Sequence, residues 1–206
     1  MKFYFLFILF FCLSVSVFAQ ESDSAAVAGI RHFQEELNTA YRNPDSTPLP
    51  PAEQTSFKGH QFYPVALDLR LKAELVKLPE SKPFKMTTTT GQLRDYVRYG
   101  ELHFSISGKP YKLLVYQSLD LLKKPQYQDY LFLPFTDLTN GNETYGGGRY
   151  LDLRIPETGN SLVVDFNKAY NPYCAYSNRY SCPIPPAENH LDVPVTAGVK
   201  APETKH

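Results

Sequence analysis

The fold is decided by residues 65–76, which read VALDLRLKAELV. Apolar side chains occupy every second position of this stretch: Val65, Leu67, Leu69, Leu71, Ala73 and Leu75. A helix would scatter these side chains around its axis, whereas a strand places them all on one face. The stretch therefore predicts a long, half-buried β-strand.

The same period of two predicts further strands along the chain. They are expected at residues 84–90, 92–99, 130–135, 149–155 and 161–166, with a hairpin in which residues 102–107 return through Ser107-Gly108-Lys109-Pro110 to residues 111–116. Many short strands joined by polar turns indicate an antiparallel sheet that closes on itself or stacks in two layers. The predicted fold class is mainly β: an antiparallel β-barrel or sandwich with one N-terminal helix and an irregular, proline-rich C-terminal loop segment.

The N-terminal helix is predicted over residues 24–41. Its apolar stripe repeats at three- and four-residue steps and consists of Ile30, Phe33, Leu37 and Tyr41. Polar residues at 22–24 offer N-caps, Asn43-Pro44 ends the pattern, and residues 43–51 form a proline-rich, stiff connector. The predicted organisation is a leader at 1–19, the helix and connector at 20–51, one β domain at 52–198 and a loose tail at 199–206.

Residues 1–19 have the layout of a secretory signal. Lys2 supplies the positive start, residues 3–17 are uncharged and mostly apolar, and Val17-Phe18-Ala19 fits the small-x-small cleavage rule. The apolar run is shorter than the roughly 20 residues of a spanning helix, which disfavours a membrane anchor. We therefore expect an exported protein, periplasmic or extracellular, that begins at Gln20 and has no membrane span after cleavage.

Composition excludes several classes of protein. A hydrophobic content of 43% with 20% charged residues rules out a mainly disordered chain, and 206 residues suit one domain with a sizeable core. Basic and acidic residues are equal in number, which argues against nucleic acid as a partner because phosphate binding needs a basic surface. The sequence contains no Gly-x-Ser-x-Gly elbow, no His-Glu-x-x-His helix and no phosphate-binding loop.

Export gives the cysteines a specific interpretation. Cys12 leaves with the leader, so Cys174 and Cys182 remain as an even pair in an oxidising compartment. A disulfide between them is favoured, and two free thiols or a metal site are the alternatives. A metal would need two further ligands, and His190 is the only histidine nearby. We therefore predict neither a metal nor a cofactor.

The C-terminal half departs from plain strand and turn. It contains ETYGGGRY at residues 143–150, VDFNKAYNP at 164–172, CAY at 174–176, CPIPP at 182–186 and Glu188-Asn189. Together with the connector, these segments resemble an uncharacterised bacterial family, domain of unknown function 1684 (DUF1684). That family has no agreed activity, so the resemblance implies a shared fold and a shared site rather than a reaction.

The same segments supply the predicted site. Three glycines before Arg149 permit positive φ angles, so backbone N–H groups would hold an anion beside the guanidinium; the alternative is a glycine bulge with Arg149 paired to Asp165 or Glu143. Tyrosines and amides at strand ends suit a pocket for a small anionic or aromatic ligand, although packing of the C-terminal loop explains the same tyrosines. The predicted ligand-binding residues are Tyr145, Arg149, Asp165, Asn167, Tyr170, Asn171, Tyr176 and Asn189.

Two other functions stay open at this point. The first is an envelope hydrolase in which Asp165 or Glu188 acts as general acid and base while Arg149 steadies an oxyanion. The second is a structural protein without a ligand, in which the C-terminal motif closes the barrel. Enzyme, binding protein and scaffold are thus the three alternatives.

Overall fold

The computed structural model of the protein describes residues 22–79 and 81–203, so the predicted leader lies outside the described residues. The main helix, α1 (Asp23–Arg42), begins at Ser22, whose hydroxyl accepts a hydrogen bond from the N–H of Ala25. Two single-turn helices follow, α2 (Pro51–Gln54) and α3 (Leu119–Leu122). The predicted helix is confirmed to within one residue at each end.

The strands form one sheet that curls into a half-barrel, and most of its pairs are antiparallel. They are β1 (Arg70–Lys77), β2 (Phe84–Thr87), β3 (Leu93–Ile106), β4 (Lys109–Ser118), β5 (Tyr130–Asp137), β6 (Arg149–Arg154), β7 (Ser161–Asp165) and β8 (His190–Leu191). Their order is β6-β5-β4-β3-β1-β7, with β2 paired to β3 and the short β8 parallel to β5. The mainly β, antiparallel fold class is confirmed.

Three predicted boundaries were wrong. The long strand expected from residue 65 begins at Arg70, because the N–H of Leu69 bonds to the carbonyl of Ala66 and closes a 3₁₀ turn over Leu67–Leu69. The strand expected at 84–90 ends at Thr87. The two strands expected at 92–99 and 102–107 are one strand, β3, whose ladder with β4 shifts register between Arg98 and Gly100.

The β3–β4 hairpin turns where the sequence predicts. Ile106 pairs with Lys109, so only two residues form the loop. These are Ser107 and Gly108, with φ of 50° and 79°, as a two-residue hairpin turn with positive φ at both positions requires. This turn fixes which side chains of the two strands share a face.

The sheet is covered on both faces. The inner face carries the main apolar core, to which β5 contributes Leu131, Leu133 and Phe135. The outer face carries a second cluster that is largely aromatic, formed by Met86, Tyr96, Tyr116, Phe132 and Tyr150. Within residues 22–79 and 81–203, no helix combines the length and the apolar character needed to cross a membrane.

Residues 166–203 form the C-terminal strap, an almost strand-free segment that runs along the sheet. Its contacts include an isolated bridge between Tyr150 and Tyr170 and another between Phe62 and Val199. Because few backbone ladders hold it, side chains must supply the remaining hydrogen bonds. Most of the predicted site residues lie in this strap; Tyr145 lies in the turn before β6, Arg149 begins β6 and Asp165 ends β7.

Candidate functional site

The glycine run before Arg149 makes a tight turn against the core. The N–H of Gly148 donates to the carbonyl of Tyr145, and Gly148 has a φ of +88°. A Cβ added at Gly148 would lie 2.6 Å from the carbonyl oxygen of Phe135 and 2.7 Å from Pro185. The glycine is therefore needed both for backbone conformation and for close approach of the strap.

Arg149 was expected at a ligand site, but its side chain is fully buried in a structural role. One terminal nitrogen donates to a carboxylate oxygen of Asp137 at 2.9 Å and to the carbonyl of Val195 at 2.8 Å; the other donates to the carbonyls of Ala197 and Val199. The alternative prediction, an ion pair of Arg149 with Asp165 or Glu143, was wrong. The alternation of side chains along β6 turns Arg149 inward, toward Asp137 on β5. Arg149 anchors the strap to the sheet.

Three predicted asparagines also bind backbone groups. Asn167 accepts from the N–H of Ala66 and donates to its carbonyl, both at 2.8 Å, so its amide imitates a strand partner. Asn171 donates to the carbonyl of Lys200 and to the hydroxyl of Tyr176. These amides are buried: Asn167 fastens the start of the strap to Ala66, and Asn171 joins the start of the strap to Lys200 near its other end.

Asn189 fills an interruption in the sheet. The register of β4 and β5 would pair Leu114 with Pro134, and proline has no N–H to donate. The Asn189 side chain takes this place: it accepts from the N–H of Leu114 and donates to the carbonyls of Leu114 and Pro134 at 2.7–2.8 Å. An amide from the strap thus joins two strands.

The single pocket expected around Arg149 and Asn167 is therefore corrected. Both side chains are buried and bound to other groups of the protein, Arg149 to Asp137 and the strap and Asn167 to Ala66. Tyr176 packs in a different aromatic cluster, against Tyr41 at 5.0 Å between ring centroids, and Tyr145 reaches toward Cys174. Among the eight predicted ligand-binding residues, only Tyr170 lines the aromatic cavity described below.

The two candidate catalytic carboxylates are engaged with other groups. Asp165, at the end of β7, accepts from the backbone and the side chain of Asn167 and lies 3.6 Å from Arg70. Glu188 is partly exposed and pairs with Arg98 at 3.1 Å. Glu188 belongs to a turn that packs on β4 and β5, whereas β7 lies at the far end of the sheet order. The structure does not bring them together as an acid/base pair.

A cavity of about 560 Å³ lies between the outer face of the sheet, α1 and the strap. We call it the tyrosine pocket. Its aromatic lining consists of Phe33, Tyr96, Tyr127, Tyr130, Phe132, Tyr150, Tyr170 and Tyr173. Its volume falls within the range of small-molecule sites, and apolar rings with few polar groups are the usual lining of such sites.

Asp152 is the only acidic residue among the described residues that line the tyrosine pocket, and no lysine, arginine or histidine is among them. Its Oδ1 accepts hydrogen bonds from the hydroxyls of Tyr130 at 2.7 Å and Tyr170 at 2.6 Å. Burial, and then the charge of Asp152, raises the pKa of both phenols far above the ordinary value, so both remain protonated donors. Within the described chain, Oδ2 of Asp152 has no partner and is available to a ligand.

The residues that sequence reasoning missed lie on the second face of predicted strands. In β6, Leu151 and Leu153 enter the core, so Tyr150 and Asp152 face outward. In β5, Tyr130 and Phe132 face outward for the same reason. Side chains alternate between the two faces of a strand. The same alternation that predicted the core residues would therefore also have predicted that these four side chains share the outer surface.

Both cysteines are buried thiols next to this pocket. The N–H of Cys174 donates to the sulfur of Cys182 at 3.2 Å, and the Tyr145 hydroxyl lies 3.8 Å from the sulfur of Cys174. The described residues contain no group of three or more metal-ligating side chains. The disulfide stays a prediction.

The fold and the cavity define a class: a mainly antiparallel half-barrel with one long helix, closed by a strap that side-chain amides hold in place. The chain belongs to the family described as a protein of unknown function, DUF1684, whose model matches residues 55–200. It is similar to an uncharacterised protein of Haloarcula marismortui solved by solution NMR, with 29% identity and a TM-score of 0.67 over 86% of this chain and 95% of that one. No curated protein matches the chain.

Proposed function

We propose that the protein is an exported binding protein whose tyrosine pocket holds a small aromatic ligand that carries an amine. The observation behind the proposal is the combination of eight aromatic rings with one carboxylate that has a free oxygen. Aromatic faces attract both flat rings and organic cations, and Asp152 adds a charge partner. The leader at residues 1–19 supports export.

An anionic ligand has less support than an aromatic one. The expectation of an anionic ligand rested on Arg149, which is buried and already binds Asp137 and the strap. At the tyrosine pocket an anion would meet the carboxylate of Asp152, and like charges repel. The geometry therefore favours a neutral or positively charged aromatic molecule.

Three probes with the same ring test this order: tryptamine, indole and indole-3-acetate. The chain contains no tryptophan, so excitation near the red edge of indole absorption reports the probe alone. We expect saturable binding in the order tryptamine, indole, indole-3-acetate, because the ring is common and the side chain is cationic, absent or anionic in turn. Failure of all three to saturate at millimolar concentration, or tightest binding of indole-3-acetate, contradicts the proposal.

Asp152→Asn separates the charge contribution from the packing of the ring. The variant should raise the Kd of tryptamine roughly tenfold, a loss of about 1.4 kcal/mol in binding free energy, and leave the Kd of indole nearly unchanged. Asp129→Asn is the matched control, since Asp129 is a nearby, half-exposed carboxylate that pairs with Arg154 and does not line the pocket. Equal losses in the two variants would show that the charge contribution is not local to Asp152.

A further inference from the structure

The two cysteines lie at the wall of the tyrosine pocket. Cys174 follows Pro172 and Tyr173, and Cys182 precedes Pro183; these three neighbours and Cys182 itself line the cavity. Cys182 is therefore part of the pocket wall, and Cys174 directly follows two residues of that wall in the sequence.

Both cysteines are held in place by polar contacts that do not need a disulfide. The N–H of Cys174 donates to the sulfur of Cys182, while the N–H of Cys182 donates to the hydroxyl of Thr89 at 3.2 Å. The N–H of Thr89 in turn donates to the carbonyl of Cys182 at 2.9 Å. The dithiol form is thus an ordered state.

The protonation of the pair is asymmetric. A hydrogen bond from the Cys182 thiol, against the opposing effect of burial and with help from Tyr145, lowers the pKa of Cys174 to about 6. The same hydrogen bond raises the pKa of Cys182. This contact favours the thiolate on Cys174 and the proton on Cys182, so Cys174 is the better nucleophile of the pair.

We propose that Cys174 and Cys182 form a reversible dithiol–disulfide couple, oxidised by low-molecular-weight disulfides that enter through the tyrosine pocket, and that its state regulates ligand affinity. The second half of this proposal rests on the proposed function. The first half stands on the contacts of the two sulfurs alone.

The exchange proceeds in two balanced steps. The Cys174 thiolate attacks one sulfur of a disulfide RSSR, which forms a mixed disulfide on Cys174 and releases RS⁻. RS⁻ takes the proton from Cys182 and leaves as RSH; the Cys182 thiolate then attacks the sulfur of Cys174, the Cys174–Cys182 bond forms, and a second RS⁻ departs. The protein loses two electrons and one proton, and RSSR becomes one RSH and one RS⁻.

Oxidation would join two chain segments that line the pocket. Pro172 and Tyr173, next to Cys174, belong to one segment, and Cys182 and Pro183 belong to the other. A covalent link between the two segments reduces their conformational freedom before the ligand binds. Ligand binding then costs less conformational entropy, so the oxidised protein binds its ligand more tightly. We expect the Kd of tryptamine to fall three- to tenfold on oxidation.

The test uses the full chain in buffers of reduced and oxidised glutathione, with thiols trapped by iodoacetamide and read at each cysteine by mass spectrometry. Cys174 and Cys182 should lose their thiols together and reversibly, while Cys182→Ser should leave Cys174 unable to form the internal bond. Tyr145→Phe should raise the pH at which Cys174 is alkylated, because a hydroxyl donor to the thiolate is lost. Independent modification of the two cysteines, or a bond that excess dithiol cannot reduce in the native protein, overturns the proposal.

The two proposals fail separately. Asp152→Asn should weaken tryptamine binding and leave the glutathione titration unchanged, because the Asp152 side chain does not contact either sulfur. If no indole probe binds while the pair oxidises reversibly, the ligand proposal and the affinity effect are wrong and the redox couple stands. Equal tryptamine affinity in the two redox states overturns the regulatory half.

Discussion

Replacement of Arg149 by methionine removes the charged anchor of the strap and keeps a side chain of similar length. The variant loses the hydrogen bonds to Asp137, Val195, Ala197 and Val199 and leaves the carboxylate of Asp137 buried without its counter-charge. Breaking a buried ion pair in this way costs about 3–5 kcal/mol. Asp137 still accepts from Thr139 and from the N–H of Val195, so we expect a loss near 3 kcal/mol.

Urea unfolding followed by far-ultraviolet circular dichroism measures this loss as a lower midpoint at an unchanged slope. Arg154→Met is the matched control, because Arg154 is half exposed on the same strand and pairs with Asp129; it should change stability by less than about 0.5 kcal/mol. Adding Asp137→Asn to Arg149→Met should recover part of the loss, since no unpaired charge remains. A loss below about 1 kcal/mol for Arg149→Met would refute the anchoring role.

Two further predictions concern His60, in the loop between α2 and β1, and Gly148, in the turn before β6. Burial lowers the pKa of His60 to about 4, below the ordinary value near 6.5 of an unfolded chain, so the unfolded state binds a proton more readily and stability falls as pH falls from about 6.5 to 4. His60→Gln should remove up to about 3 kcal/mol of that pH-dependent loss in unfolding curves taken across the window. Gly148→Ala should lower stability by about 2–3 kcal/mol because of its positive φ and its contact with Phe135, whereas Gly146→Ala, which meets only ordinary contacts, should stay within about 0.5 kcal/mol; equal effects would contradict this.

The parts of the fold that local periodicity controls could be predicted from sequence. The stripe of α1, the β3–β4 turn and the strands β5 to β7 were found because each depends on spacing within a few residues. The start of β1 was missed because a 3₁₀ turn over Leu67–Leu69 precedes it, and the residue that begins this turn, Ala66, is bound by Asn167 about a hundred residues away. Alternation alone does not show which residue caps a strand end.

The candidate site was harder to predict for a physical reason. The polar residues of the strap attracted attention as binding residues, yet an irregular segment needs buried amides and a guanidinium to satisfy its own backbone, and Asn167, Asn189 and Arg149 do this. The pocket instead uses outward side chains of strands, such as Asp152, whose partners come from other elements. Only tertiary structure brings these partners together.

The amide of Asn189 has a consequence for the order in which the molecule assembles. Since this side chain bridges β4 and β5 at Leu114 and Pro134, the two parts of the sheet are completed by a residue from the last fifth of the chain. A nascent polypeptide still lacking that portion has an unfilled gap between its early strands. We therefore expect this junction of the sheet to form only once Asn189 is present, and a chain shortened before Asn189 should be captured by proteases rather than persist as a smaller stable unit.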